Sequence, residues 1–227
     1  MNLDCYLELL CNYKAPNIFN PWSQIDQLHD EREDSFIIRL NNLKNYLEQR
    51  KDAEYIFVAE ALGYNGGHFS GIAMTSERQL LNDKENKIFK GEKTRVSSIK
   101  KLTEKNISKK IIESGFIEPT GTMVWEVLTE LTKDTYNWIN WNTFPFHPYK
   151  NNDYLTNRTP DKDEILIAEK FLKSFLEVFN GRKIIAVGKV SELVLSNLGE
   201  KFIKVRHPAN GGKREFSDKL NEYFKNK

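Results

Sequence analysis

Glu60, Phe69, Asn142 and His207 are the residues of this chain whose types suit chemistry on a flat heterocycle. Glu60 follows the apolar run "YIFVA" and opens a loop in which Gly63, Gly66, Gly67 and Gly71 surround Phe69. A carboxylate there can orient a water or favour a cationic sugar. Glycines let the backbone approach a ligand closely, and an aromatic among them offers a face for stacking. Asn142 comes at the end of "NWINWN", and its amide can read a donor and an acceptor on one base edge. His207, in "RHP" after "FIKV", can stabilise negative charge developing on a leaving group. The glycine loop does not read G-x-G-x-x-G and no Gly-Lys-Ser/Thr follows it, so neither a dinucleotide fingerprint nor a P-loop is indicated. Each residue has a structural reading when taken singly: Glu60 accepting backbone N–H groups, Asn142 in a turn, His207 packed beside a loop. His68 and His147 stand nearer to structure than to chemistry, and His29 has no visible context.

The elements that must position these residues alternate between strand and helix. "SFIIRLNNLKNYLEQRKD" places Phe36, Ile37, Leu40, Leu43 and Leu47 on one helical face with a serine in front to cap it. "YIFVA" is a strand, and "TSERQLL" has a Thr75/Ser76 start suited to a helix N-terminus. "GTMVWEVLTELTKD" is a helix with Val124, Val127, Leu128 and Leu131 on one side, and the next strand ends near Asn142. The helix within "DKDEILIAEKFLKSFLEVFNG" has an acidic first turn, an apolar face through Ile165, Ala168, Phe171, Leu172, Phe175 and Phe179, and Gly181 as its stop. "KIIAVG", "KVSELVLSNLG", "FIKVRHP" and "REFSDKLNEYFKNK" follow as strand, helix, strand and helix. This order predicts an α/β protein: three layers, α/β/α, around a central, mostly parallel four-stranded sheet. Ligands in such sheets collect beyond the carboxyl ends of the strands, where Glu60, Asn142, Gly188 and His207 fall.

The chain has 227 residues, 39% hydrophobic and 12% aromatic, which suits one large domain over residues 1–227. Its net charge is +2, but Lys84–Lys110 holds ten Lys and Arg against three Glu, so the remainder is acidic by five. That segment fits an electrostatic footprint for nucleic acid or, equally, a solvated lysine-rich lid. Cys5 and Cys11 are the only cysteines and no His pairs with them at zinc spacing, so no metal is expected, and a reducing compartment is. The N-terminus lacks a basic start followed by a long apolar run, and no stretch reaches membrane-spanning length. A cytoplasmic monomer that does not engage membranes is the expectation.

In their order along the chain these motifs resemble the uracil-DNA glycosylase superfamily. "AEALG" (Ala59–Gly63) stands where one large branch has Gly-Glu-Ala-Pro-Gly, and "HFSG" (His68–Gly71) where it has Pro-Phe-Val-Gly. Asn142 in "WNTFPF", "NRTP" at Asn157–Pro160 and "RHPANGG" match the later motifs. The similarity spans about Ile56 to Phe216; Leu62 replaces the proline of the first motif and Ala59 its first glycine. The resemblance implies hydrolysis of the N-glycosidic bond of uracil in DNA to leave an abasic site, with base flipping and no cofactor. It implies Glu60 as the water-orienting group with Asn65 in reserve, and Phe69, Asn142 and Gly63 as the base pocket. His207 would act on the leaving group, and Ser76, Lys213 and Arg214 would hold phosphate. The two cysteines cannot build the iron–sulfur cluster that the branch with the closest motifs carries. Excision of hypoxanthine or xanthine, a non-catalytic nucleic-acid-binding role, and hydrolysis of free nucleosides are the competing readings.

Overall fold

The computed structural model describes residues 1–225. In chain order the elements are α1 (Leu3–Asn12), β1 (Ile18–Phe19), α2 (Ser35–Glu48), β2 (Tyr55–Ala61), α3 (Gly67–Ser70), α4 (Glu77–Leu81), α5 (Ile99–Glu104) and α6 (Lys109–Ser114). They continue with α7 (Pro119–Leu131), β3 (Trp138–Phe144), β4 (His147–Pro148), α8 (Lys162–Val178), β5 (Lys183–Val187), α9 (Lys189–Asn197), β6 (Phe202–Val205) and α10 (Lys213–Lys225).

β3, β2, β5 and β6 form one sheet in that order, and every pairing in it is parallel. Tyr55 lies opposite Trp138 on one side and Lys183 on the other, so the strands start level and their carboxyl ends gather at one edge. Two tryptophans of β3 show that both faces are covered. Trp141 stacks on Phe175 of α8 at 4.2 Å and 4°, whereas Trp138 meets Trp125 of α7 at 5.4 Å. Residues three apart on a strand point to opposite faces, so α8 and α7 lie on opposite sides and the three-layer α/β/α architecture follows.

Sequence and structure differ in three places that matter for the site. The buried face of α2 carries Arg39, Asn42 and Tyr46 beside Leu43 and Leu47, while Ile37 is turned outward. Arg39 is buried because it holds the equally buried Asp30 at 2.8 Å, a charge pair that apolar periodicity does not register. Second, Ser35 is inside the helix; Asp34 precedes it, without a side-chain capping bond. Third, β3 does not stop at Asn142 but runs on to Phe144, with Asn142 opposite Ala59 and Phe144 opposite Ala61.

A short antiparallel ribbon pairs Phe19 of β1 with His147 of β4 and sets His147 beside His68. The two Nδ1 atoms are 2.9 Å apart, His68 Nε2 lies 3.0 Å from Asp26 Oδ2, and His147 Nε2 lies 2.8 Å from the Thr156 carbonyl. The carbonyl can only accept, so His147 carries its proton on Nε2 and accepts at Nδ1. His68 Nδ1 is then placed to donate to that nitrogen, and its Nε2 faces the Asp26 carboxyl. Burial lowers the pKa of His68 and pushes that of His147 down to about 3. Burial works against the Asp26 charge as well, but hydrogen bonds from His29 and His68 hold the carboxyl well below its usual range. Both rings are structural: they lie in the interior beneath the glycine loop.

Candidate active site

The edge formed by the strand ends is open. Glu60, towards the end of β2, lines two hollows. One of about 770 Å³ runs to Gly188, Lys189, Lys204, Arg206, His207 and Asn210. The other, of about 400 Å³, runs past Gly63 to Glu118, Lys150, Asn157 and Arg158. Glu60 is half-buried and its own carbonyl accepts from Thr143 Oγ1 at 2.6 Å, which ties the strand end to β3. A separate hollow of about 470 Å³ lies by Arg182, Ile184 and Glu200, near the amino ends of β5 and β6, where α/β sheets do not place their chemistry.

His207 is fixed in orientation by its own loop. The Ala209 N–H donates to Nδ1 at 3.2 Å, so a neutral ring carries its proton on Nε2. Burial lowers the pKa of His207, which favours that neutral form. Gly188 permits the placement, because a Cβ there would lie 3.3 Å from His207 Cβ and the residue has a φ of +92°.

Asn142 is 2% exposed, and its Oδ1 has no hydrogen-bond partner among the described residues. An unpaired buried amide oxygen costs about 1–3 kcal/mol, so its retention calls for an explanation. It borders a crevice too tight for a water, walled by Trp22, Leu62, Ala73, Trp141 and Pro145. Leu62 lines this crevice and also the arm of the cleft that holds Gly63 and Glu118. Leu62 is thus shared by the crevice beside Asn142 and the open cleft.

No protein-family model and no curated protein matches the chain. Among solved structures, the wild-type SMUG2 of Pedobacter heparinus, a member of the uracil-DNA glycosylase superfamily, is similar over 98% of this chain and 96% of its own. The TM-score is 0.62 at 15% sequence identity. The chain has the uracil-DNA glycosylase fold.

Within that fold the expected site residues separate. Glu60, Gly63 and His207 line the open cleft and Asn142 lies just under it. Gly63 is held by Asn157, whose Oδ1 accepts from the Tyr64 N–H at 3.0 Å, and a Cβ on Gly63 would meet that amide at 3.3 Å. Asn65 lies in the turn beyond and lines neither hollow.

Two expectations are corrected. Phe69 does not present a free face: it is fully buried and stacks on Phe116 at 4.2 Å and 10°, in a small apolar cluster with Val96 and Leu102. Trp22, which with Trp141 walls the crevice beside Asn142, is anchored by its Nε1–H to the Gly71 carbonyl at 3.0 Å. Ser76 is likewise buried and is the N-cap of α4, where its side chain and that of Gln79 form a capping box. Its hydroxyl is engaged there with Gln79.

Several cations in and near the cleft already have carboxylate partners. Lys213 bonds Glu126 at 2.7 Å, Lys204 bonds Glu192 at 2.7 Å, and Arg206 bonds Glu215. Arg214 is almost fully exposed, 3.6 Å from Asp218. In the basic segment, Lys101 donates to the Asp30 carbonyl at 2.6 Å and Arg95 to Ser97, while Val96 and Leu102 join the Phe69 cluster. Part of that segment is therefore internal scaffolding. The residue that sequence reasoning missed is Glu118, a carboxyl inside the cleft. Its only local signal is the Glu-Pro step at a helix start, which reads as a cap.

Proposed function

We propose that the protein is a monofunctional DNA glycosylase that hydrolyses the N-glycosidic bond of uracil in DNA. The observation that carries this is the placement of His207, with Nε2–H as its free donor, across one cleft from the Glu60 carboxylate, with the unpaired Asn142 amide beneath. The fold shared with SMUG2 is in keeping with it. Extrusion of the nucleotide costs a few kcal/mol of stacking and pairing. The base enters as Leu62 moves aside, bringing its pairing edge to Asn142 with Trp22 alongside. As the glycosidic bond stretches, charge builds on a carbonyl oxygen of the base and His207 donates to it from Nε2. Glu60 orients a water toward the cationic sugar and takes its proton. A lone donor at such an oxygen contributes about 3–4 kcal/mol to lowering the barrier. The protein acts as a monomer in the cytoplasm in this reading.

The test is cleavage of a labelled oligonucleotide carrying one uracil, single-stranded and opposite guanine, with alkali added to break abasic sites. Strand breaks formed by the wild type and lost in His207→Ala and Asn142→Ala support the assignment. DNA retained without any abasic product would mean that the protein binds and does not cut.

A further inference from the structure

Glu118 occupies the N-cap position of α7, yet its side chain makes no capping bond. It turns instead toward the glycine loop. A Cβ on Gly66 would lie 2.4 Å from Glu118 Oε2 and a Cβ on Gly121 2.9 Å from it, so two glycines form the slot for this carboxyl. Oε2 is sealed from solvent without a hydrogen-bond partner among the described residues, while the residue lines the cleft beside Glu60 and Gly63. The charged groups sharing that arm of the cleft are Glu60 from β2 and Lys150 and Arg158 from the segment after β4. Arg158 is committed to Glu164 through two bonds of 2.6 Å. A carboxylate oxygen walled off from donors is disfavoured, and burial pushes the pKa of the group up to about 7. Glu60, at the open strand end, borders both hollows. Two carboxyls in one cleft with unlike surroundings is the arrangement that divides acid from base.

Resting on the glycosylase reading, we propose that Glu118 is a general acid of this site, its proton counting most for a base that leaves poorly as an anion, as a purine does until a ring nitrogen is protonated. The C1′–N bond breaks heterolytically and its electron pair passes to the base, while the Glu118 O–H proton moves to a ring nitrogen of that base. Water adds to C1′ and gives a proton to Glu60. The base departs neutral, the sugar keeps the hydroxyl, and a proton returns from Glu60 to Glu118 through solvent. The balance is one water consumed per bond cleaved. Uracil departs as a stabilised anion and depends less on this proton.

The experiment is single-turnover excision from oligonucleotides carrying one uracil or one hypoxanthine, from pH 5 to pH 9, by the wild type and by Glu118→Gln. The expected result is a wild-type hypoxanthine rate that falls above about pH 7, as the acid loses its proton. In the variant that alkaline fall disappears, and the hypoxanthine-to-uracil rate ratio drops by about 30-fold or more. Equal loss on both bases, an alkaline fall that persists in the variant, or a wild type that excises uracil but not hypoxanthine would each overturn the proposal. Activity on neither base by a folded wild type would defeat the glycosylase reading and this inference with it. The protonation state has its own readout: the stability of Glu118→Gln relative to wild type should rise from pH 5 to pH 8. A flat difference would show that the carboxyl is not held neutral.

Discussion

The Ala209 N–H donates to Nδ1 of His207, and this contact, two residues along one loop, decides which nitrogen faces the cleft with a proton. A ring so fixed needs no prior protonation to act as a hydrogen-bond donor. His207→Ala should lower the rate of uracil excision by about 10²–10³-fold with DNA affinity little changed. Single-turnover rates and a gel-shift titration check this, and an equal loss in both would assign His207 to binding.

Asn142 gives a prediction with opposite signs for activity and stability. Its Oδ1 is buried and unpaired, so removing the amide discards a desolvated acceptor. Asn142→Ala should stay within about 1 kcal/mol of wild-type stability, far below the usual cost of truncating a buried side chain. Excision should nonetheless fall by at least about 100-fold. Denaturant unfolding beside the cleavage assay separates the two effects.

Leu62 packs so closely on Gly67 that a Cβ there would lie 2.2 Å from its Cδ2. Leu62→Ala should cost about 2–4 kcal/mol, in the range of buried leucine truncations. It should also open the way from the cleft to Asn142 and raise excision of larger bases relative to uracil. Competition between uracil and hypoxanthine oligonucleotides reads the change. An unchanged ratio would mean that Leu62 is packing alone.

Two buried groups act oppositely on the pH dependence of stability. His147 is held near 3 in the fold against about 6.5 when unfolded, so the unfolded chain takes up a proton that the native state refuses. Its contribution is complete above about pH 6.5 and is lost as pH falls toward 3, at up to about 1.4 kcal/mol per unit. Glu118 is raised to about 7 from an unfolded value of about 4.3. Its contribution is complete below about pH 4.3 and is lost as pH rises through 7. The stability of wild type minus His147→Asn should therefore fall on acidification, and that of wild type minus Glu118→Gln should fall on alkalinisation. Urea midpoints at pH 5, 6.5 and 8 resolve the two slopes.

Ser76→Ala tests the reassignment of that residue. A lost N-cap costs about 1 kcal/mol of stability, whereas a lost phosphate contact weakens DNA binding at unchanged stability. The capping box predicts the first result, read by thermal unfolding beside a DNA titration at fixed salt.

What could be read in the chain and what could not divide along local and distant contacts. The parallel sheet was legible because each strand is a short apolar run punctuated by glycine or a polar residue, and Glu60 and His207 could be placed because a polar residue ends such a run. Asn142 was found for the same reason, though β3 continues past it under tertiary pairing with Ala61. Phe69 misled because its local setting, an aromatic among glycines, suits a platform. Its partner Phe116 comes from a distant segment whose weak periodicity concealed an apolar cluster. Ser76 showed its cap in sequence but not its burial. Glu118 was invisible because its slot exists only where Gly66 and Gly121 meet.

The ion pairs of Lys204, Arg206 and Lys213 bear on how this protein would travel along DNA. A phosphate reaching any of these cations must displace a glutamate, so each contact is an exchange of anions and not an addition. The energy of exchange is nearly level from one phosphate to the next, and few counter-ions are released overall. Contacts through these three would be shallow, weakly dependent on salt and easily reversed, suiting a protein that must leave most sites untouched and pause only where a base can be drawn from the stack.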